Sequence, residues 1–113
     1  MARRWAWGLS AAAVLLGVGH LSLAALMFER LSLDALWFAG SGLAIVLGGM
    51  INMFAQFAHY GTGGRTVLGI ANLVTMAFFA LALTIVPEPQ VVVGLILFGA
   101  LAGLAWAGPT RTA

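Results

Sequence analysis

The spacing of the charged residues constrains this chain more than any other feature. The 113 residues include only five basic and three acidic side chains. None of them falls between Arg4 and Glu29, which leaves the apolar stretch 5–28 uninterrupted. About 20 apolar residues cross a hydrocarbon core ~30 Å thick, and a charge at the centre of such a helix costs about 2.5–3.5 kcal/mol. The spacing therefore predicts a transmembrane helix.

The composition supports the same class of protein. The chain is 63% hydrophobic and 7% charged, with a mean hydropathy of +1.09, whereas soluble domains carry about 25% charged residues. This small number of charges cannot cover a surface that faces water. The composition therefore indicates an integral membrane protein. Cysteine is absent, which excludes disulfides, thiolate metal sites and cysteine nucleophiles.

Three more apolar stretches follow, each bounded by residues that start or stop helices. Ser32 and Asp34 suit the N-cap and first turn of a second helix. The glycines at 61, 63 and 64 predict a flexible loop, and Pro87 with Pro89 predicts a tight break before a fourth helix. The predicted helices cover 5–28, 33–57, 66–86 and 91–107. We expect one all-α domain, residues 1–113, folded as an up-down bundle of four transmembrane helices.

The arginines are unevenly divided between the two sides of the predicted bundle. The side that holds both termini carries Arg3, Arg4, Arg65 and Arg111. The other side carries one arginine, Arg30, among three acids. Arginine-rich segments stay in the cytoplasm, so we expect both termini there. Abundant Ala, Gly and Leu without lysine suggests a bacterial chain, located in the inner membrane as a multi-pass protein.

The first apolar stretch also has features of a secretory signal peptide, because two arginines precede it. It is longer than the usual apolar region of about 7–15 residues, and a second apolar stretch follows at once. We therefore expect it to be retained as a helix.

Small residues four apart suggest close helix packing. The second predicted helix has such a line, which continues into two amides: Gly40, Ala44, Gly48, Asn52 and Gln56. The fourth has Gly99 and Gly103. Residues four apart share a helix face, and small ones let two helices approach closely in lipid. The glycines and Ala44 are accordingly expected at helix contacts.

Three amides are the first candidate site. Asn52 lies seven residues before His59, and Asn72 lies seven after Arg65, so both asparagines should lie at similar depth near the cytoplasmic side. Gln56 is one turn from Asn52 on the same face. These amides could bind a ligand or line a transport path. Alternatively, they could form hydrogen bonds between helices that only stabilise the bundle. Amides commonly have this role in membrane helices.

His20 is the second candidate, because it is the only ionisable residue well inside a predicted span. Ser41 should lie near its depth, and Trp37 one turn closer to the outer surface. A buried ionisable group suggests proton transfer or ligand binding. A neutral histidine bonded to a serine or a carbonyl has no such role. A haem ligand has no further support in the sequence.

By length and span count the chain is similar to the small multidrug resistance transporters. Those proteins carry a glutamate in the middle of the first helix. Here residues 9–23 offer only Ser10, His20 and Ser22 as polar groups. The chain therefore lacks the residue that couples proton and drug transport in that family, and it is not assigned to it.

These observations leave two functional hypotheses. The first is a non-enzymatic membrane protein, either an accessory or scaffold subunit or a carrier of a lipid-like ligand inside the bundle. The second is a small dimeric transporter whose path is lined by His20, Asn52, Gln56 and Asn72. We expect no catalytic residues, cofactor, metal or nucleic-acid partner. The expected partners are the lipid bilayer and either a second copy or a larger membrane complex.

Overall fold

A computed structural model describes residues 2–107 of the chain. These residues form α1 (Ala2–Met27), α2 (Leu33–Phe54), α3 (Thr62–Leu83) and α4 (Pro89–Ala107). All four helices are long and apolar enough to cross a membrane, which confirms the all-helical class and the number of candidate spans. The predicted end of α4 at Gly108 and Pro109, and the position of Arg111, lie outside the described residues.

The start of α2 follows the sequence signal. Ser32 has extended backbone angles, with φ −132° and ψ 172°, and its Oγ accepts a hydrogen bond from the N–H of Ala35 at 3.1 Å. Asp34 lies in the first turn, where a negative charge is favourable beside the positive end of the helix dipole. Ser32 is therefore the N-cap, as predicted.

The connection between α2 and α3 is shifted from the prediction. The helix α2 ends at Phe54, before the predicted residue 57, because the N–H groups of Gln56 and Phe57 bond to carbonyls three residues back and tighten the chain. The helix α3 starts at Thr62, before the predicted residue 66. Glycines disfavour helix interiors, but a Cβ on Gly64 would lie only 2.7 Å from the Cβ of Tyr60. Packing of Tyr60 thus requires this glycine in the first turn.

The connection between α3 and α4 contains both prolines. The N–H groups of Thr84 and Ile85 bond to carbonyls three residues back, so α3 ends at Leu83 and not at the predicted residue 86. Pro87 follows, and a proline disfavours helical angles in the residue before it. Pro89 is the first residue of α4. Proline suits that position because its missing N–H would have no partner inside the helix.

The four helices form two antiparallel hairpins. The helix α1 packs along α2, α3 packs along α4, and a smaller contact between α1 and α4 joins the two hairpins. Side chains from all four helices fill the centre: Ala13, Ile45, Phe79, Leu97, Phe98 and Leu101. Phe98 is fully buried and stacks on Phe79, with ring centroids 5.9 Å apart.

Three glycines bring the backbones of α1 and α2 into direct contact. A Cβ on Gly17 would lie 2.6 Å from the backbone nitrogen of Val46, and one on Gly42 would lie 3.1 Å from that of Leu21. A Cβ on Gly49 would lie 2.8 Å from the nitrogen of Val14. The first hairpin is therefore held by a backbone contact that leaves no room for a Cβ at Gly17 and Gly49 and little room for one at Gly42.

Inside the bundle, the closest contact of α2 uses another face than the predicted line of small residues. Gly40 and Ala44 are exposed, and a Cβ on Gly40 would have no neighbour within 4 Å. The close contact uses Gly42 and Gly49, which are seven residues apart. A helix turns 3.6 residues per turn, so this pair shares a face that a search at spacing four does not select. Of the predicted line, Gly48 does approach another helix, since its Cβ would lie 3.1 Å from the Phe98 ring.

The second hairpin places aromatic rings on glycines. The indole of Trp106 lies over Gly69, and the ring of Phe79 lies over Gly94. Of the two glycines predicted to pack on α4, Gly99 faces the sulfur of Met76, at 3.1 Å from an added Cβ. Gly103 is exposed, with no neighbour within 4 Å of an added Cβ. Among the described residues, Gly103 therefore makes no close contact with another helix.

Candidate functional site

Asn52 and Asn72 form a reciprocal pair of hydrogen bonds between α2 and α3. The Nδ2 of Asn52 donates to the Oδ1 of Asn72 at 2.7 Å, and the Nδ2 of Asn72 donates to the Oδ1 of Asn52 at 2.8 Å. The two residues are 3% and 2% exposed. Each amide thus supplies the partner that the other needs away from water.

Further hydrogen bonds extend from Asn52 along α2. The Nδ2 of Asn52 also donates to the carbonyl of Gly48 at 2.8 Å, so both of its amide hydrogens are used. The Nε2 of Gln56, which is 5% exposed, donates to the backbone carbonyl of Asn52 at 2.9 Å. The structure therefore brings all three predicted amides together, in one buried cluster bonded to itself and to the backbone.

This cluster joins the two hairpins between α2 and α3, which pack little against each other. The helices α2 and α3 share far less contact than either shares with its hairpin partner. A buried amide without a partner costs about 1–3 kcal/mol, so the paired arrangement is strongly preferred over separated helices. The chemistry of the cluster is that of a structural bridge between α2 and α3.

His20 lies at the opposite end of the bundle, between α1 and α2. Its ring stacks on Phe38, with centroids 4.0 Å apart and planes inclined by 14°. Phe28 also contacts Phe38, with ring centroids 5.7 Å apart and planes inclined by 57°. The Nε2 of His20 is buried and has no hydrogen-bond partner within residues 2–107. The imidazole is thus held by aromatic stacking and not by a hydrogen bond to Ser41.

Ser41 and Trp37 make local contacts only. The hydroxyl of Ser41 donates to the carbonyl of Trp37, one turn earlier, at 3.0 Å. Such a bond within one helix satisfies the hydroxyl without any ligand. Trp37 is 70% exposed on the outside of α2. The predicted group of His20, Trp37 and Ser41 therefore does not converge on a common point.

The sequence interpretation overlooked two features near the amide end. Ser10 is fully buried on α1, where its hydroxyl donates to the carbonyl of Ala6 at 2.6 Å. Its own carbonyl would lie 3.0 Å from a Cβ on Gly49. Arg65, expected in a loop, lies in the first turns of α3 and is half-buried. A search for glycines seven residues apart could have indicated the contact between Ser10 and Gly49. No local signal in the sequence indicates that Arg65 is half-buried in α3.

Comparisons of this chain with protein-family models, with curated proteins and with solved structures found no match. The class that the fold defines is a bundle with four candidate membrane-spanning helices.

Proposed function

We propose that this chain is a non-enzymatic, multi-pass membrane protein that serves as an accessory or scaffold subunit of a larger membrane assembly. The observation that carries the proposal is the reciprocal Asn52–Asn72 pair. Polar side chains inside a membrane either serve a ligand or path, or bond helices together. Here the amides are bonded to each other and to the backbone, which supports a structural role.

The packed centre favours the scaffold over a carrier of a lipid-like ligand. Ala13 and Phe98 are fully buried, and Leu101 is 2% exposed. These side chains occupy the middle of the bundle, where a ligand held between the helices would have to lie. A ligand would need to displace core packing, at the cost of lost apolar contacts.

The geometry also favours the scaffold over the dimeric transporter. The proposed path would need His20 and the three amides to face one channel, but His20 stacks on Phe38 at the end of the bundle opposite to Asn52. A proton-coupled path needs ionisable groups that water can reach. The transporter remains the alternative that the experiment below must separate from the scaffold.

For the location, we propose a bacterial inner membrane with both termini in the cytoplasm. The support is the arginine distribution, with Arg3, Arg4 and Arg65 at the end of the bundle that holds the start of α1. Arginine-rich ends are retained in the cytoplasm during insertion.

The outward face of α2 is the proposed contact with a partner, either a second copy or another membrane protein. Gly40 and Ala44 lie there, exposed and one turn apart. Small residues at this spacing allow a second helix to approach closely in lipid. Within this chain, a Cβ added at Gly40 would have no neighbour within 4 Å, so the space beside it is open.

The test is the size of the assembly extracted from native membranes in mild detergent, measured by native electrophoresis and mass spectrometry. The scaffold predicts a complex that contains this 11.7 kDa chain together with a different membrane protein. Gly40→Leu should dissociate it, because the larger side chain would occupy the partner's position. Gly19→Leu is the matched control, since Gly19 is also exposed on a helix without neighbours, and it should leave the complex intact.

The same preparations distinguish the transporter. Purified chain in liposomes should show no proton-driven solute flux if the scaffold is correct. Flux that disappears with His20→Ala and Asn52→Leu, in a sample that migrates as a homodimer, would establish the transporter instead.

A further inference from the structure

The two ends of the bundle carry opposite charge. One end holds Arg3 and Arg4 at the start of α1 and Arg65 at the start of α3, with no acidic residue, which gives +3 within residues 2–107. The other end holds one arginine, Arg30, and three acids, which gives −2. The acids are Glu29, Asp34 and Glu88. We call the first of these the arginine end.

The packing shows that these residues share one end. Ser10 near the start of α1 contacts Gly49 near the end of α2. Asn52 then bonds to Asn72 of α3, and Trp106 of α4 covers Gly69 of the same helix. The start of α1, the end of α2, the start of α3 and the end of α4 therefore lie together. Arg3, Arg4 and Arg65 all extend from this end.

Aromatic side chains accompany the arginines. Trp5 is 63% exposed and Trp106 is 40% exposed, and both lie at the arginine end with Tyr60. Tryptophan and tyrosine are enriched at the level of the lipid headgroups. Their position indicates that the arginines beside them also lie at headgroup depth, where phosphate groups are concentrated.

Arg65 is the arginine with the most defined surroundings. It is half-buried, and its Nε is shielded from solvent without a hydrogen-bond partner among the described residues. The first turn of α3 contains no acid, and its N-cap is Gly61, which has no side chain to accept from the free N–H groups. Arg65 and a helix start without a side-chain cap thus lie together at the arginine end.

We propose that the arginine end binds the phosphate groups of anionic phospholipids, with Arg65 as the principal donor. The proposal rests on the membrane location given under the proposed function. A guanidinium donates through a planar fork that matches two phosphate oxygens, and free N–H groups at a helix start add further donors. The cytoplasmic leaflet is rich in anionic lipid, and each basic residue near it strengthens attraction.

The experiment measures lipid retention by the full chain in nanodiscs that contain equal parts of phosphatidylcholine and phosphatidylglycerol. Native mass spectrometry of the released protein counts the bound lipids. The wild type should retain phosphatidylglycerol over phosphatidylcholine, and Arg65→Gln should reduce this preference about five-fold, as expected for one basic residue at a charged surface. Arg65→Lys, which keeps the charge but not the fork, should lose less.

The matched control is Arg30→Gln, which removes an exposed arginine from the opposite end. It should keep the wild-type preference. Equal loss in both variants, or no preference in the wild type, overturns the proposal. Inorganic phosphate added at the concentration of the lipid should not displace phosphatidylglycerol, and displacement would reassign the site to a small free anion.

This outcome is separable from that of the proposed function. Recovery of helical protein in the nanodisc fraction, checked by circular dichroism for every variant, establishes the membrane location independently of lipid choice. The scaffold role is decided by the assembly isolated from native membranes, which Arg65→Gln does not address.

Discussion

The two hairpins bury glycines in different ways. In the α1/α2 hairpin, added Cβ atoms on Gly17, Gly42 and Gly49 would meet backbone atoms of the facing helix. In the α3/α4 hairpin, those on Gly69 and Gly94 would meet the rings of Trp106 and Phe79. The first contact joins two backbones, and the second fills a notch in one helix with a side chain of the other.

This difference determines how each hairpin tolerates change. A clash with the backbone of a facing helix is relieved only if that whole helix moves. Such a movement disturbs every other contact that the helix makes. A ring can rotate or swing to another rotamer, provided that space exists beside it. The first hairpin should therefore be the more rigid and the more sensitive to added volume, and the second should adapt.

The largest effect is expected from Gly17→Ala in the first hairpin. The new Cβ would lie 2.6 Å from the nitrogen of Val46 and 2.8 Å from the carbonyl oxygen of Gly42. Overpacking of this kind costs about 1–3 kcal/mol, occasionally more, and we expect the upper part of that range. The measurement is the free energy of unfolding in mixed micelles. An unchanged value would show that the backbone contact is not tight, and the comparison between hairpins would fail.

The second-largest loss of stability is expected from breaking the Asn52–Asn72 pair, which joins the two hairpins. Asn52→Leu leaves the amide of Asn72 buried without its partner, so we expect a loss of about 1–2 kcal/mol in unfolding free energy. The double variant Asn52→Leu/Asn72→Leu should lose less than the sum of the single variants, because neither amide is then left alone. Thr75→Val is the control, since that hydroxyl bonds only to Ala71 within its own helix. Strict additivity would argue against the reciprocal pair.

Within the second hairpin, Gly94→Ala should cost more than Gly69→Ala. Phe79, which covers Gly94, is 8% exposed and has little space to move, whereas Trp106 over Gly69 is 40% exposed and can swing outward. We expect a loss of about 1–2 kcal/mol for Gly94→Ala and less for Gly69→Ala. Tryptophan fluorescence should shift in Gly69→Ala as the indole moves. If Gly69→Ala lost more stability than Gly94→Ala, the Trp106 ring would not be the more mobile of the two.

The smallest effect, and of opposite sign, is expected from Gly40→Ala. No atom lies within 4 Å of the new Cβ, and alanine is favoured over glycine inside a helix by about 0.5–1 kcal/mol. The purified monomer should therefore become slightly more stable by the same unfolding measurement. A clear loss of stability would mean that Gly40 is packed after all.

Most of the fold could be predicted from sequence, because its signals are local. Charges and prolines interrupt the apolar stretches, and Ser32 caps α2 by bonding three residues ahead. The start of α3 was missed because glycine usually disfavours a helix, whereas here Gly64 leaves room for the Tyr60 side chain one turn earlier. The depth of Asn52 and Asn72 also followed from counting residues. Their mutual hydrogen bonds did not, since they depend on how two hairpins meet.

The sequence by itself thus determined the class of fold, four apolar helices in up-down order, because charges, glycines and prolines interrupt the apolar stretches one segment at a time. Only the tertiary structure decided which small residues pack. Gly40 and Gly42 are alike in the sequence, yet one is exposed and the other lies against the backbone of α1. The rotation of a helix about its axis is set by the sum of its contacts with its neighbours, and no local pattern contains that sum.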